Sequence, residues 1–180
     1  MSLQIALPGI TTRRPKENDA DILADAVRKR ISDITSWLSE PDSDELRASV
    51  TDALKATGGR HADAYKLARY LEQHCGWDPD ADLVETLDGV IAAVHDVYGV
   101  AVRQWVEANR ITLKLTIGTE IHVPTSLKHI SNGPWTIRKM MPEIASYGIA
   151  HPGMPETSYY YAIAEDVVPA DAAVSGAEQS

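Results

Sequence analysis

The apolar residues of this chain change their spacing near residue 110, and this change limits the folds that the chain can adopt. Between residues 19 and 110 they recur every three or four positions, as on one face of a helix. Between residues 111 and 166 they alternate with polar residues and are separated by turn signals, as in half-buried strands. The sequence therefore predicts an α+β protein, with an N-terminal helical region followed by a small antiparallel β unit.

Four segments carry the helical pattern, and each has a start or stop signal. The predicted helices run from Asn18 or Asp19 to Leu38, from the capping pair Asp42 and Glu45 to Gly58, from His61 to Cys75, and from Asp78 and Pro79 to Asn109. The last of them has the broadest apolar stripe, which is typical of a central helix. Gly89 and Gly99 weaken it by about 1 kcal/mol each, or permit close packing or a break near Gly99.

Five segments after residue 110 have the alternation of strands. The predicted strands cover residues 112–117, 119–123, 134–141, 143–150 and 157–164. Asn132 and Gly133 form a dipeptide that is typical of a hairpin turn. The predicted organisation is an irregular arm (residues 1–18), a helical domain (19–110), a β domain (111–169) and a disordered tail (170–180).

The β segment resembles a small SH3-like barrel in the order of its strands and turns. The resemblance rests on Gly118-Thr119-Glu120-Ile121-His122-Val123, Gly133-Pro134-Trp135-Thr136-Ile137, Tyr147-Gly148-Ile149 and Ala162-Ile163-Ala164-Glu165-Asp166-Val167. It implies a five-stranded antiparallel barrel that binds peptides, nucleic acids or neighbouring subunits, so it does not select one function. The whole chain, short, acidic and rich in alanine, also resembles the small accessory proteins of bacteriophages and prophages.

The charge of the chain is acidic and unevenly spread. The net charge is −9, and residues 1–110 carry 13 basic against 19 acidic side chains, whereas residues 111–169 carry 4 against 5. An acidic surface repels phosphate backbones and argues against general nucleic-acid binding. Arg13, Arg14 and Lys16 form a basic cluster, for which the sequence favours a solvated arm over a grip on an acidic partner or nucleic acid.

The compartment follows from cysteine usage and from the absence of targeting patterns. Cys75 is the one cysteine, which suits a reducing compartment, and at the end of a helix we expect it to be a small core residue. The start of the sequence lacks the pattern of a signal peptide, and no apolar run approaches the ~20 residues of a membrane span. These features predict a cytoplasmic protein without a membrane partner.

A search for catalytic motifs favours a protein that is not an enzyme. The sequence has no nucleophile elbow, no phosphate-binding glycine loop and no zinc-protease helix motif. Glu120 and His122, with His129 or His151, would be the ligands of a metal-dependent hydrolase, and the alternative is that they are surface and loop residues. We expect no cofactor and no metal.

The aromatic residues of the β unit are the predicted binding residues. Alternation along strands places some of them outward, where they can stack on peptides or bases, whereas others fill a core that has no Phe. Tyr160 is the one that we expect to be most exposed. The candidates are Trp135, Tyr147, Tyr159, Tyr160, Tyr161 and His129, with the loop of residues 124–134.

The sequence thus favours a non-enzymatic interaction protein, encoded by a phage or mobile element, that binds a bacterial protein or a copy of itself. Nucleic-acid contact through the β unit is an alternative. A further one is an acidic inhibitor, in which Asp78, Asp80, Asp82, Glu85 and Asp88 mimic the charge of nucleic acid. These acidic residues equally suit the positive N-terminal end of a helix.

Overall fold

A computed structural model of the chain describes residues 13–39, 41–122, 127, 130 and 133–170. It has the predicted α+β architecture, with four α-helices followed by a four-stranded antiparallel curled sheet. The chain divides between Trp105 and Val106 into two compact units, which we call the helical unit and the β unit. The predicted tail and most of the predicted 124–134 loop lie outside the described residues.

The four helices lie where the apolar periodicity predicts them. They are α1 (Ala20–Leu38), α2 (Asp44–Thr57), α3 (Ala64–Cys75) and α4 (Ala81–Asn109). Gly58 and Gly76 end α2 and α3 in the left-handed conformation, which glycine adopts without a steric penalty. Helix α4 runs through Gly99 without a break.

The residues that cap the helices differ from two of the predicted ones. Ser43 accepts a hydrogen bond from the Leu46 N–H at 3.1 Å at the start of α2. Asp80, not Asp78, accepts one from the Leu83 N–H at 2.8 Å at the start of α4. The cap is the residue just before the helix, and α2 and α4 begin at Asp44 and Ala81, so Ser43 and Asp80 hold the cap positions.

The core of the helical unit is built from the predicted apolar stripes. Burying each large aliphatic side chain contributes about 1.5–3 kcal/mol. Fully buried members, with no exposed surface, are Leu23, Val27, Ile34, Val50, Leu54, Leu67, Leu71, Leu83, Leu87, Val90 and Val94.

The sheet has the order β1-β2-β3-β4, and each strand pairs with the next one in the chain. Its strands are β1 (Glu120–Ile121), β2 (Trp135–Met141), β3 (Ser146–Ala150) and β4 (Tyr160–Ile163). A 3-10 helix, Ala164–Asp166, follows β4 directly.

The predicted first strand, residues 112–117, is not a strand. The segment forms no ladder, and the N–H of Leu115 donates instead to the hydroxyl of Tyr147 at 3.1 Å. Leu113 and Leu115 still pack against the core of the β unit. The alternation therefore marks a segment with one apolar side, and the prediction of paired backbone was wrong.

The sheet curls because the chain returns to its first strand after β4. Ile121 of β1 forms a bridge with Pro169, and the His122 N–H donates to the Val168 carbonyl at 3.0 Å. The interior is filled by Ile121, Trp135, Ile137, Tyr147, Ile149, Ala162 and Val167. Among the helices that the structure describes, none has both the length and the apolar character needed to cross a membrane.

Candidate functional site

Two of the predicted binding residues are core residues of the β unit. Trp135 has no exposed surface, and Tyr147 is 2% exposed. The Trp135 ring meets His151 and Tyr160 edge to face, with ring centroids 5.2 Å and 5.6 Å apart. The Tyr147 hydroxyl is occupied by the Leu115 N–H. Both side chains therefore belong to the core of the β unit and not to its surface.

Tyr161, rather than Tyr160, is the exposed tyrosine of β4. The sequence alternation gave the two faces of this strand correctly but not which face is buried. Ala162 lies in the core, and Tyr160 packs against the same core because it has the same parity. Tyr161 therefore points away from the core and is 65% exposed.

Tyr161 belongs to a small surface cluster with Lys139 and Tyr159, which we call the tyrosine–lysine surface. The register places Lys139 opposite Gly148 and Gly148 opposite Tyr161. Lys139, Gly148 and Tyr161 therefore lie in one row across β2, β3 and β4. The Tyr159 and Tyr161 rings meet edge to face, with centroids 5.4 Å apart. The Lys139 ammonium lies 3.2 Å from the Tyr159 hydroxyl and 5.3 Å from the centre of its ring.

Gly148 makes room for this cluster. A Cβ atom there would lie 2.8 Å from Tyr159 Cδ2 and 2.9 Å from Lys139 Cβ, closer than van der Waals contact allows. The Tyr159 ring thus covers the bare backbone of β3, and the side chain of Lys139 closes it from the other side. The absence of a side chain at position 148 lets the Tyr159 ring approach the backbone of β3 closely.

The three groups of the cluster influence each other's ionisation. The hydrogen bond with Lys139 lowers the pKa of Tyr159, and the same hydrogen bond raises the pKa of Lys139. The hydrogen bond with Tyr159 raises the pKa of Tyr161.

Arg138 fixes the loop that carries Tyr159. Its guanidinium donates to the backbone carbonyls of Met154 at 3.2 Å and Ser158 at 3.1 Å, and also to that of Pro155. The five N–H donors of arginine suit such a set of carbonyls. Nothing in the sequence pattern marked Arg138, because its partners come from a loop that has no periodicity.

The predicted metal ligands do not converge. His129 lies outside the described residues, and His151 Nδ1 lies 2.8 Å from the Pro152 carbonyl while its ring packs on Trp135. Across residues 13–39, 41–122 and 133–170, no three His, Cys, Asp or Glu side chains form a group that could hold a metal ion. Cys75 is exposed, so its prediction as a core residue was wrong.

Asp80 of the acidic series, and Arg13 and Arg14 of the arm, make contacts within the helical unit. Asp80 caps α4 and also accepts a hydrogen bond from Trp37 Nε1 at 2.9 Å. Arg13 pairs with Asp19 at 3.2 Å, and the Arg14 guanidinium lies 5.8 Å from the centre of the Trp105 ring. Arg13 and Arg14 thus contact the helical unit, where the sequence favoured a solvated arm.

A shallow depression of ≈ 390 Å³ on the helical unit lies between α1 and α4. It is lined by Arg30, Asp33, Asp82, Glu85 and Thr86. Arg30 is already paired with Asp33 at 3.2 Å, and its Nε donates to the Gly89 carbonyl at 3.4 Å. With its cation so engaged, the depression has little to offer an anionic ligand.

Within the described residues, the tyrosine–lysine surface is the arrangement best suited to binding, because it combines exposed aromatic area, a cation and a fixed backbone. Comparison with known proteins adds no assignment: no family model, no curated protein and no solved structure matches the chain.

Proposed function

We propose that the β unit is a protein-binding module with an SH3-like arrangement, and that the tyrosine–lysine surface contacts the partner. The SH3-like part is supported by the order of the strands. Each strand pairs with the next, a 3-10 helix follows β4, and residues 168–169 return to β1. The sequence resemblance implies the order of the strands, and the curled four-stranded sheet is compatible with a small barrel.

The exposed Tyr161, with the half-buried Tyr159 beside it, is the observation that carries the proposal. Tyrosine gives a large, rigid contact area with few rotatable bonds, and it is enriched in protein interfaces. Tyr159 already packs against Gly148 and is hydrogen-bonded to Lys139, so binding would order little more than Tyr161. Lys139 adds a cation that favours an acidic group on the partner.

A protein partner fits this surface better than a nucleic acid. Proteins that bind single strands combine stacking aromatics with a positively charged groove. Here residues 111–169 carry 4 basic against 5 acidic side chains, and Arg138 is engaged by its own loop. Nucleic-acid contact therefore stands as an outcome of the test and not as a second proposal.

The test compares two equally exposed tyrosines. Tyr161→Ala is expected to lower the binding of the partner, a bacterial protein or a second copy of the chain, about tenfold, the loss of one interface anchor worth roughly 1–2 kcal/mol. Tyr65→Ala is the matched control, because Tyr65 of α3 is 64% exposed and lies in the helical unit. Binding is measured by capture from lysate and then by titration with the purified partner.

Two results would contradict the proposal. One is a partner that binds Tyr161→Ala as well as it binds the unaltered protein. The other is tight binding of single-stranded DNA at low salt that weakens steeply as salt rises, which would favour the nucleic-acid alternative. The likeness to phage accessory proteins stays a prediction.

A further inference from the structure

The two edges of the sheet differ in whether other backbone segments are hydrogen-bonded to them. The outer edge of β1 is paired, because Ile121 bridges Pro169 and His122 donates to Val168. Strand β4 pairs with β3 on one side, and within the residues that the structure describes no backbone pairs with its other side. An edge strand of this kind presents unpaired N–H and C=O groups to another chain.

The register shows which backbone groups of β4 point outward. The Ala164 N–H donates to the Ala145 carbonyl at 3.0 Å, and hydrogen-bonded pairs alternate along an antiparallel ladder. Ala162, opposite Tyr147, and Tyr160, opposite Ile149, therefore bond to β3. The N–H and C=O groups of Tyr161 and Ile163 point away from the sheet.

The outer edge of β4 lacks most of the features that keep such edges from pairing. Natural sheets protect their edges with charged residues, prolines or bulges. The sequence of β4 is Tyr-Tyr-Ala-Ile, which has none of these and has high β-propensity. Its shortness limits the pairing to one partner strand of similar length.

We propose that β4 pairs antiparallel with β4 of a second copy of this chain, about a two-fold axis that passes at Ala162. This rests on the proposed function and names its partner. The symmetry places Tyr161 opposite Ile163 of the second copy, and Ile163 opposite its Tyr161. Both are hydrogen-bonding positions, so two pairs of backbone hydrogen bonds form. At each of these two positions the aromatic side chain of Tyr161 also lies beside the β-branched side chain of Ile163 from the other copy, which is a favourable cross-strand contact.

Charge complementarity favours a second copy over an unrelated peptide. In this arrangement the end of β4 of one copy lies beside the start of β4 of the other, and the 3-10 helix that begins there carries Glu165 and Asp166. The Lys139 ammonium lies 3.2 Å from the Tyr159 hydroxyl. Each copy therefore brings its lysine to the side where the acidic residues after β4 of the other copy lie, and the contact occurs twice.

The backbone angle at Ile163 allows a selective test. Its φ is −70°, which a proline ring accepts, and its N–H points away from β3. Ile163→Pro therefore removes an intermolecular hydrogen bond from each copy and leaves the bonds within the sheet in place. Ile163→Val is the matched control, because it keeps the N–H and the β-branched side chain.

Sedimentation equilibrium of the full chain over a range of concentrations measures the dimer. We expect a reversible dimer whose dissociation constant rises at least about tenfold in Ile163→Pro and changes little in Ile163→Val. Circular dichroism checks that both variants fold. Lys139→Glu should also weaken the dimer, and adding Asp166→Lys should restore it, because the second change recreates the opposite charges across the axis.

The inference is overturned if the chain is monomeric at millimolar concentration, or if a dimer forms equally well with Ile163→Pro. These outcomes are separable from failure of the proposed function. A monomer that captures another protein through Tyr161 would remove the second copy as partner and leave the binding surface in place. A dimer that Ile163→Pro breaks but Tyr161→Ala does not would keep the edge pairing and remove the tyrosine–lysine surface.

Discussion

Asp80 shows how one residue can connect two elements of the helical unit. Its Oδ1 accepts hydrogen bonds from the Leu83 N–H, at the start of α4, and from the indole of Trp37, on α1. Trp77 packs beside Trp37, with ring centroids 6.1 Å apart. The hydrogen bond from Leu83 is the main reason that the pKa of Asp80 lies below its ordinary value of 3.8.

This lowered pKa predicts how the stability contributed by Asp80 depends on pH. A carboxylate whose pKa is lower in the folded state stabilises the fold at pH values above its pKa in the unfolded state. This stabilisation is lost as the pH falls through its pKa in the folded state. We expect Asp80→Asn to be less stable than the unaltered protein at pH 7, and the difference to close as the pH falls below about 3.8. Urea denaturation at a series of pH values measures it, and a difference independent of pH would contradict the prediction.

Gly148 is the second residue whose identity is set by its neighbours. Gly148→Ala places a methyl group against the Tyr159 ring and Lys139 Cβ, and overpacking of this kind costs about 1–3 kcal/mol. We expect a lower free energy of unfolding in denaturant titrations and a weaker near-ultraviolet circular dichroism signal from the tyrosines. The double variant Gly148→Ala, Tyr159→Ala should recover most of the stability, and additive losses would show that the two residues do not interact.

At the scale of elements, sequence reasoning succeeded where the period alone decides the structure. The four helices were predicted because stripes such as Leu83, Leu87 and Val94 repeat at helical spacing, and their burial confirms it. Sequence reasoning failed where the neighbouring element determines whether a segment pairs and which of its faces is buried. Residues 112–117 have strand alternation but form no ladder, and Tyr161 is exposed because Ala162 faces the core. The Lys139 and Tyr159 contact depends on a register that no local pattern specifies.

Helix α4 offers a direct comparison of its two internal glycines. Gly99→Ala should stabilise the chain by about 1 kcal/mol, because the new Cβ would meet only the Arg103 guanidinium, at 3.5 Å. Gly89→Ala should gain less, since its Cβ would lie 2.7 Å from the Arg30 guanidinium and displace it from the Gly89 carbonyl. Thermal unfolding of both variants tests this, and equal gains would contradict the role given to Arg30.

At the scale of the molecule, the two units divide the chemistry between them. The helical unit carries most of the excess acidity and uses much of it internally, as in the pairs of Arg13 with Asp19 and Arg69 with Glu72. The β unit is closer to neutral and carries the exposed Tyr161 with Tyr159 and Lys139 beside it. We therefore expect substitutions in the tyrosine–lysine surface to change association, and substitutions at Asp80 or Gly99 to change stability.

The bridge between Ile121 and Pro169 has a consequence for biosynthesis. The helical unit is made first, and its hairpins of neighbouring helices can form while the ribosome still holds the rest. The β unit cannot join its first strand to its final segment until Pro169 has left the exit tunnel. A ribosome that pauses before that point would display a helical body with an unfinished sheet, and chaperones would meet the chain in that form.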